Sequence, residues 1–551
     1  MPLERENNFI RTLVVHRYAV LCLFCCLLYL TNLGGYRLFD VDEPRYAETA
    51  RYMSESGDYV LPIFNGAYRF EKPVLSYWLI AASYHLFGVN EWGARFPSAL
   101  TALGTVLLTC LLAGRLWNAG TGLGSGVILA CCLQFIALGR WAITDMHLAF
   151  FVSATLVLFY LGTAAEDKKM GRLYHLSSFA CSGLAVLTKG PVGFVLPALV
   201  AFVYILISGK ARENLVRIPF AGGVIVLCLV VLPWYVLVTL RSEFEFFRVF
   251  IIQHNIERFF GDVAPGGQHI EPFYYYLPCL LLGIYPWSIF AVHAIIRLVR
   301  RIQRQWKSER TLIGKTTFPL LWCVLVLLFF SFSRAKLPTY ITPALPPLAI
   351  LIAGYFHELA PTPSDSCSRV ILLPALLSVL AAAALAVFLI IGADKIAPFE
   401  LGNLPLLTAL AIISGPLVAL VLLTRRRHRG AFIFQAAGQT FFALLIALSI
   451  LPLVSNHRQE PQKRLTEHAC ALLGDNGTLA AYRYRKTALS FYSRRVVVYL
   501  ETTDEAEDIV NMPGPLAVIT REKHRDELAQ KFPSLDILAV DKGLVLMAAK
   551  E

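Results

Sequence analysis

Apolar runs long enough to cross a bilayer recur from near residue 17 to near residue 453, and nothing else in the chain narrows its possible folds so far. A helix needs about twenty apolar residues to span the hydrocarbon core. By that measure spans lie near 17–33, 95–115, 121–139, 146–165, 173–188, 191–208, 217–240, 273–296, 317–332, 339–357, 369–391, 403–424 and 431–453, thirteen in all. Within lipid each backbone polar group must be satisfied internally, so these runs must be helical. Hydrophobic residues make up 56% of the chain and charged residues only 16%, against about a quarter charged in soluble domains. A polytopic α-helical membrane protein with about thirteen transmembrane helices is expected. Residues 74–89 are also apolar, but the run is short and interrupted by Ser76, Ser83 and His85, which predicts an interfacial helix on the outer face.

The net charge of +12 is dispersed in short clusters between apolar runs, which argues for topology and against a nucleic-acid surface. With the N-terminus cytoplasmic, Arg115, Lys168, Lys169, Arg172, Lys210, Arg212, Arg217, the group from Arg297 to Lys315, and Arg425, Arg426, Arg427 and Arg429 all fall on one side. The positive-inside rule requires that arrangement. Counting 74–89 as a full span would throw the later basic loops outside. Ten of the cysteines, among them Cys22, Cys131, Cys132 and Cys323, sit inside apolar runs, where a thiol behaves as a small hydrophobe. A charged start (Arg5, Arg11, Arg17) precedes the first run without a small-residue cleavage site, so that run reads as a retained span.

This topology leaves the outer face with residues 34–94, 140–145, 189–190, 241–272, 333–338 and everything beyond about 454. The first of these opens with Asp40-Val41-Asp42-Glu43-Pro44-Arg45-Tyr46-Ala47-Glu48, four carboxylates and an arginine just past the end of a span, and continues to Glu71-Lys72-Pro73. Arg140, Asp145, Lys189, His254, Arg258, His269, Arg334 and Lys336 also lie on that side, and ionisable groups at membrane depth are costly and usually functional. Domains are expected at 1–455, with the site in outer loops 34–94 and 241–272, and at 456–551. The second shows short strands near 479–484, 495–500, 516–520, 537–540 and 545–549, alternating with helical patterns near 486–492, 505–511 and 525–532. That alternation predicts a small α/β domain on the periplasm-like side. It carries no GxGxxG or P-loop, so no nucleotide is expected.

Asp42-Glu43-Pro44-Arg45-Tyr46, Glu71-Lys72-Pro73, Thr188-Lys189-Gly190, Gln253-His254-Asn255-Ile256-Glu257-Arg258-Phe259 and Lys336-Leu337-Pro338-Thr339-Tyr340 together resemble the GT-C glycosyltransferases. Within that class they look most like the bacterial aminoarabinose transferases that modify lipid A, over essentially the whole chain in motif order. Pro44 stands where such proteins often have Thr. The resemblance implies a donor of 4-amino-4-deoxy-L-arabinose on undecaprenyl phosphate, an acceptor phosphate of lipid A, and a site on the periplasmic face of the bacterial inner membrane. It implies partners limited to these two lipids and the membrane, with no nucleic acid, and a monomer is expected.

Residue chemistry points the same way. A lipid-phosphate leaving group is already a good anion and needs cations more than a proton donor. Arg45, Lys72, Lys189, Arg258 and Lys336 supply them, with Tyr46 and Tyr340 as hydrogen-bond donors. Tyr340 divides evenly between that role and an aromatic belt residue; Lys189, at a span end before Gly190-Pro191, favours a functional role, with snorkelling as the alternative. By the resemblance Asp42 is the candidate catalytic carboxylate; Asp145 is a second. Because an acceptor phosphate is largely ionised near neutral pH, their expected work is to orient the acceptor, stabilise charge at the anomeric carbon or pair with the donor amine. Glu71 and His254 form a candidate pair of ligands for one divalent metal ion such as zinc; the alternatives are a hydrogen-bonded pair and a Glu71–Lys72 surface arrangement. Arg140 and Arg334 are candidate lipid-headgroup contacts. Other readings are a GT-C transferase of another polyprenyl-phosphate-linked sugar, a hexose or aminohexose, to lipid A or protein, and more distantly a transporter or flippase. The last should show internal repeats and mid-membrane ion pairs, and the sequence shows no repeat.

Overall fold

The computed structural model describes residues 12, 14–257, 271–305, 310–359, 365–396 and 402–549. It divides into two compact units. One comprises Met1–Thr31, Phe70–Ser76 and Phe96–Ile446; the other comprises Asn32–Arg69, Tyr77–Arg95 and Ala447–Glu551.

The first unit is helical. Among the described residues, seven helices are long and apolar enough to cross a membrane, or nine when each of two bent pairs is one span. Shorter apolar helices at Arg17–Leu30, Val192–Ile207 and Thr317–Phe332 fall on three further expected spans, and Lys168–Lys189 is helical too. By length and composition at most nine of the thirteen expected spans qualify, and these four shorter or more polar helices fall on the others. Two of the expected spans are not single rods. Ala119–Ala130 and Leu133–Gly139 meet at 70°, and Phe273–Gly283 and Ser288–Arg300 at 117°. Pro286 explains the second break, because a proline disfavours helix at the residue before it and removes a backbone donor. The two breaks satisfy one another, as the Leu133 N–H donates to the Tyr285 carbonyl at 3.1 Å. Helix Phe220–Arg241 has the character of a lipid-facing span: Val224, Ile225, Leu229, Leu232, Val236, Leu237 and Leu240 are all exposed.

The second unit begins with helix Asp42–Ser56 and a tight hairpin, β1 (Ile63–Phe64) and β2 (Ala67–Tyr68). The Asn65-Gly66 turn has φ of 51° and 77°, the mirror-image turn that matches strand twist and that this dipeptide favours. Leu75–Phe87 is a helix of 13 residues, about 20 Å long and too short to cross a bilayer. The tail forms a five-stranded sheet from β3 (Thr478–Tyr482), β4 (Val497–Leu500), β5 (Leu516–Arg521), β6 (Leu535–Asp541) and β7 (Leu544–Ala549) in the order β4-β3-β5-β7-β6. β3 is parallel to both β4 and β5, and β7 is antiparallel to β5 and β6. Helix Glu460–Leu473 and Leu489 cover one face and Ala506 and Leu528 the other. All five expected strands and all three expected helices of the tail are present. The chain is therefore a multi-pass helical membrane protein with a small C-terminal α/β domain.

Candidate functional site

In the first unit, polar groups gather where helices end. Helix Lys168–Lys189 stops at Gly190, whose φ of +82° suits a residue without a Cβ. The next helix packs tightly, since a Cβ on Gly193 would lie 2.3 Å from the Ala185 carbonyl carbon. Lys189 is thereby held as a last-turn cation, favourably placed at the negative end of the helix dipole. Its Nζ donates to Asp145 Oδ1 at 2.7 Å, with the two side chains only 10% and 12% exposed. Asp145 lies in the first turn of helix Thr144–Ala164, the complementary dipole end. Lys189 Nζ also sits 4.2 Å from the Tyr340 ring centroid.

Tyr340 belongs to the short 3-10 segment Pro338–Ala344, which Gln134 fastens by donating to the Pro338 carbonyl at 2.9 Å and to Thr342 Oγ1 at 3.2 Å. Lys336 just precedes it, is 6% exposed, and donates to the Glu271 backbone carbonyl at 2.9 Å. Burial holds its ammonium below the usual lysine range, with the Glu271 charge opposing. Two residues after Asp145, His147 is fully buried, with Nδ1 2.9 Å from Ser76 Oγ and Nε2 without a hydrogen-bond partner among the described residues. His147, Ser76 and Gln134 were not anticipated; a histidine two residues after a charged outer residue was the one available signal.

Lys72 donates to the backbone carbonyl of Glu71 at 3.2 Å, and both side chains are half-buried. Glu71 and His254 each have further contacts. Among the described residues, no group of three or more His, Cys, Asp or Glu side chains is placed to hold a metal ion. Two donors fall short of the three protein ligands of a catalytic zinc. Arg258 lies outside the described residues. Arg140, considered as a headgroup contact, is 4% exposed and donates to the carbonyls of Leu28 at 2.8 Å and Thr31 at 2.7 Å. It caps the end of the first span, whose last carbonyls lack helical partners.

In the second unit, Asp42 is the exposed first residue of its helix, where the dipole favours an anion. The next residue holds the motif in place. Glu43 is 2% exposed and Arg95 0%, and they form a two-pronged ion pair with both contacts at 2.8 Å. Arg95 uses its remaining donors on the carbonyls of Leu33, Tyr36 and Arg37 at 2.8–2.9 Å. All five guanidinium N–H groups are satisfied, the condition under which a buried ion pair is tolerated. Tyr46 is 5% exposed, stacked on Tyr77 at 5.7 Å with the Arg69 guanidinium 4.4 Å from its ring. Arg45 is half-buried on the same helix.

The model of the dolichyl-phosphate-mannose-protein mannosyltransferase family matches residues 14–245. The chain is 36% identical over 347 residues to the undecaprenyl phosphate-alpha-4-amino-4-deoxy-L-arabinose arabinosyl transferase of Enterobacter sp. (strain 638), covering 62% of this chain and 60% of that one. It thus spans about three fifths of the length of the curated relatives it matches. Among solved structures, ArnT from Cupriavidus metallidurans bound to undecaprenyl phosphate superposes with a TM-score of 0.78 at 23% identity, over 96% of this chain and 97% of that one. The archaeal oligosaccharyltransferase AglB from Archaeoglobus fulgidus superposes at 0.55 and 12% identity, over 94% and 70%.

Proposed function

We propose that this chain, whose fold is that of the GT-C glycosyltransferases, moves 4-amino-4-deoxy-L-arabinose from undecaprenyl phosphate to a phosphate of lipid A. The similarity to named arabinosyl transferases supports the donor and the sugar. The observation in this chain that carries the reading is Lys189, a shielded cation held between Asp145 and the Tyr340 ring. A phosphate that leaves as an anion needs such a group. In the reaction an acceptor phosphate oxygen forms a bond to the anomeric carbon while the bond from that carbon to the donor phosphate oxygen breaks.

Lys189, with Lys336 and Tyr340 on neighbouring backbone, takes the negative charge of the departing lipid phosphate. Asp145 keeps the Lys189 ammonium aimed. Asp42 orients the acceptor, or stabilises positive charge at the sugar, from an exposed position at the start of its helix; Arg45 and Lys72 add cations for phosphate. No step is routed through a metal, and metal content of purified Glu71→Ala and His254→Ala proteins checks whether those two side chains hold one. The site and the tail face the periplasm and the N-terminus the cytoplasm of a bacterial inner membrane.

Purified protein with undecaprenyl-phosphate-linked aminoarabinose and lipid A tests this. Mass spectrometry should find lipid A carrying the added sugar, and Asp42→Asn should abolish it. Near-normal turnover of Asp42→Asn would remove the proposed role, and unmodified lipid A with wild-type protein would remove the reaction. The match to a protein mannosyltransferase model favours a second reading, a polyprenyl-phosphate hexose moved to protein. Label from such a donor appearing in protein, and none in lipid A, would establish it.

A further inference from the structure

The tail sheet has a reversal of strand order that the reaction above does not use. From β3 the chain runs through helix Ala488–Ser493 to β4 on one side, then through helix Thr503–Val510 to β5 on the other. The two helices cover opposite faces, with Leu489 in one core and Ala506 in the other. β3 and β5 therefore flank the point where strand order reverses, and ligands of open α/β sheets bind outside the carboxyl ends of strands at such a point.

Arg483, Arg485 and Lys486 follow β3, and Arg521 ends β5 ahead of Glu522 and Lys523. β3 ends at Tyr482, and Arg483 takes a left-handed φ of 47°. That turn switches faces, since Tyr482 packs in one core and Tyr484 in the opposite one. It delivers Arg485 and Lys486 to the strand end. Arg521 closes β5, its guanidinium 5.8 Å from the Tyr484 ring, while that of Arg485 lies 5.9 Å from the ring of Tyr499 on β4. Arg45, from helix Asp42–Ser56, acts electrostatically on the same Tyr499 phenol.

Among the described residues two carboxylates stand near these strand ends: Glu527, which accepts from the Tyr482 hydroxyl at 3.0 Å and pairs with Arg483 at 3.1 Å, and Asp40. The Asp40 side chain is 4% exposed and lies 3.9 Å from Lys486 Nζ, and it already accepts from Thr487 Oγ1 at 2.8 Å and from the Ala488 N–H at 3.0 Å. Arg45, Arg485 and Arg521 have no side-chain acceptor among the described residues. Arg485 and Arg521 are solvent-exposed. An unneutralised set of guanidiniums over aromatic rings matches a phosphate, which accepts two parallel N–H bonds from each.

We propose that Arg485, Lys486 and Arg521 form an anion site at the carboxyl ends of β3 and β5 that takes a phosphate monoester, giving the tail domain a binding role. The inference rests on the proposed function only in naming the phosphorylated acceptor lipid as the ligand's carrier.

Calorimetric titration of the full-length protein in detergent tests it, with short-chain phosphatidic acid, inorganic phosphate and phosphatidylcholine as probes. Measurements in the Lys189→Gln background weaken the other phosphate site. Phosphatidic acid should bind there, phosphatidylcholine should not, and Arg485→Gln/Arg521→Gln should weaken binding at least tenfold at an unchanged melting temperature. Equal binding of inorganic phosphate assigns the site to phosphate itself, and binding of phosphatidic acid alone assigns it to a lipid headgroup. Binding unchanged by the double substitution, or no binding by either phosphate probe, overturns the proposal. Tenfold weakening in a protein that transfers no aminoarabinose leaves the anion site standing without the reaction. Transfer by wild-type protein, with phosphate binding unaltered by the double substitution, does the reverse.

Discussion

Asp145 and Lys189 terminate two different helices with opposite dipole ends, and their side chains meet at 2.7 Å with little solvent around either. Removing one partner of a hydrogen-bonded buried charge pair costs about 2–5 kcal/mol. Lys189→Gln should therefore raise the donor KM by about 30-fold or more by that measure, because the donor phosphate loses its cation. Asp145→Asn should act mainly on kcat, since the ammonium remains but is no longer aimed. Steady-state kinetics with varied donor separates the two. Equal, small effects on both constants would place the pair outside the site.

The Glu43–Arg95 pair bears on stability. Breaking a buried pair strands a charge and costs about 3–5 kcal/mol, whereas replacing both partners with apolar residues is often neutral. Arg95→Met alone should lower the melting temperature and loosen residues 33–43, whose carbonyls Arg95 holds. Glu43→Leu/Arg95→Met should recover much of that loss. The recovery will be partial, because the Leu33, Tyr36 and Arg37 carbonyls and the Phe39 N–H, which donates to Glu43 at 2.8 Å, keep no partner. Thermal melts of the two single and the double variants form the required cycle.

These two pairs differ in how legible they are. Lys189 stood out in the sequence because a cation before Gly-Pro at a span end has few structural reasons to be there. Glu43 and Arg95 did not, since they are 52 residues apart and each looks like an ordinary outer-face charge; only burial shows their use. His147 was hidden for the same reason, its partner Ser76 being 71 residues away. The tail was readable strand by strand, because alternating apolar residues and turn dipeptides such as Lys542-Gly543, with φ of 46° and 80°, act locally. The broken spans were not, because apolar content measures length in lipid and says nothing of a 117° bend.

Glu460 accepts from Arg37 Nε at 2.6 Å, and this bond, more than burial opposing it, holds its carboxyl below the usual range. A carboxyl with a lowered folded-state pKa stabilises the fold above its unfolded value, here 4.5, and loses that contribution as pH falls from there through the lowered value. Acidification through that window should loosen helix Glu460–Leu473 at its start, read as faster amide exchange at residues 460–466. Arg37→Gln should remove the pH dependence and leave exchange fast throughout. A pH-independent wild type would show that the pair contributes nothing.

Lys336 behaves in the opposite sense, because its shift comes from burial. With its folded-state pKa below 10.5, the charged side chain penalises the fold at low pH, and the penalty is relieved as pH rises from the lowered value to 10.5. A lipid phosphate placed against the ammonium restores the charged form. Donor binding should then take up a proton within that window, and donor affinity should fall as pH rises through it. Calorimetry of undecaprenyl phosphate binding in two buffers of different ionisation enthalpy reads the proton directly. Lys336→Met should bind more weakly and without proton uptake. Uptake that persists in Lys336→Met would assign the proton to another group and remove Lys336 from the phosphate site.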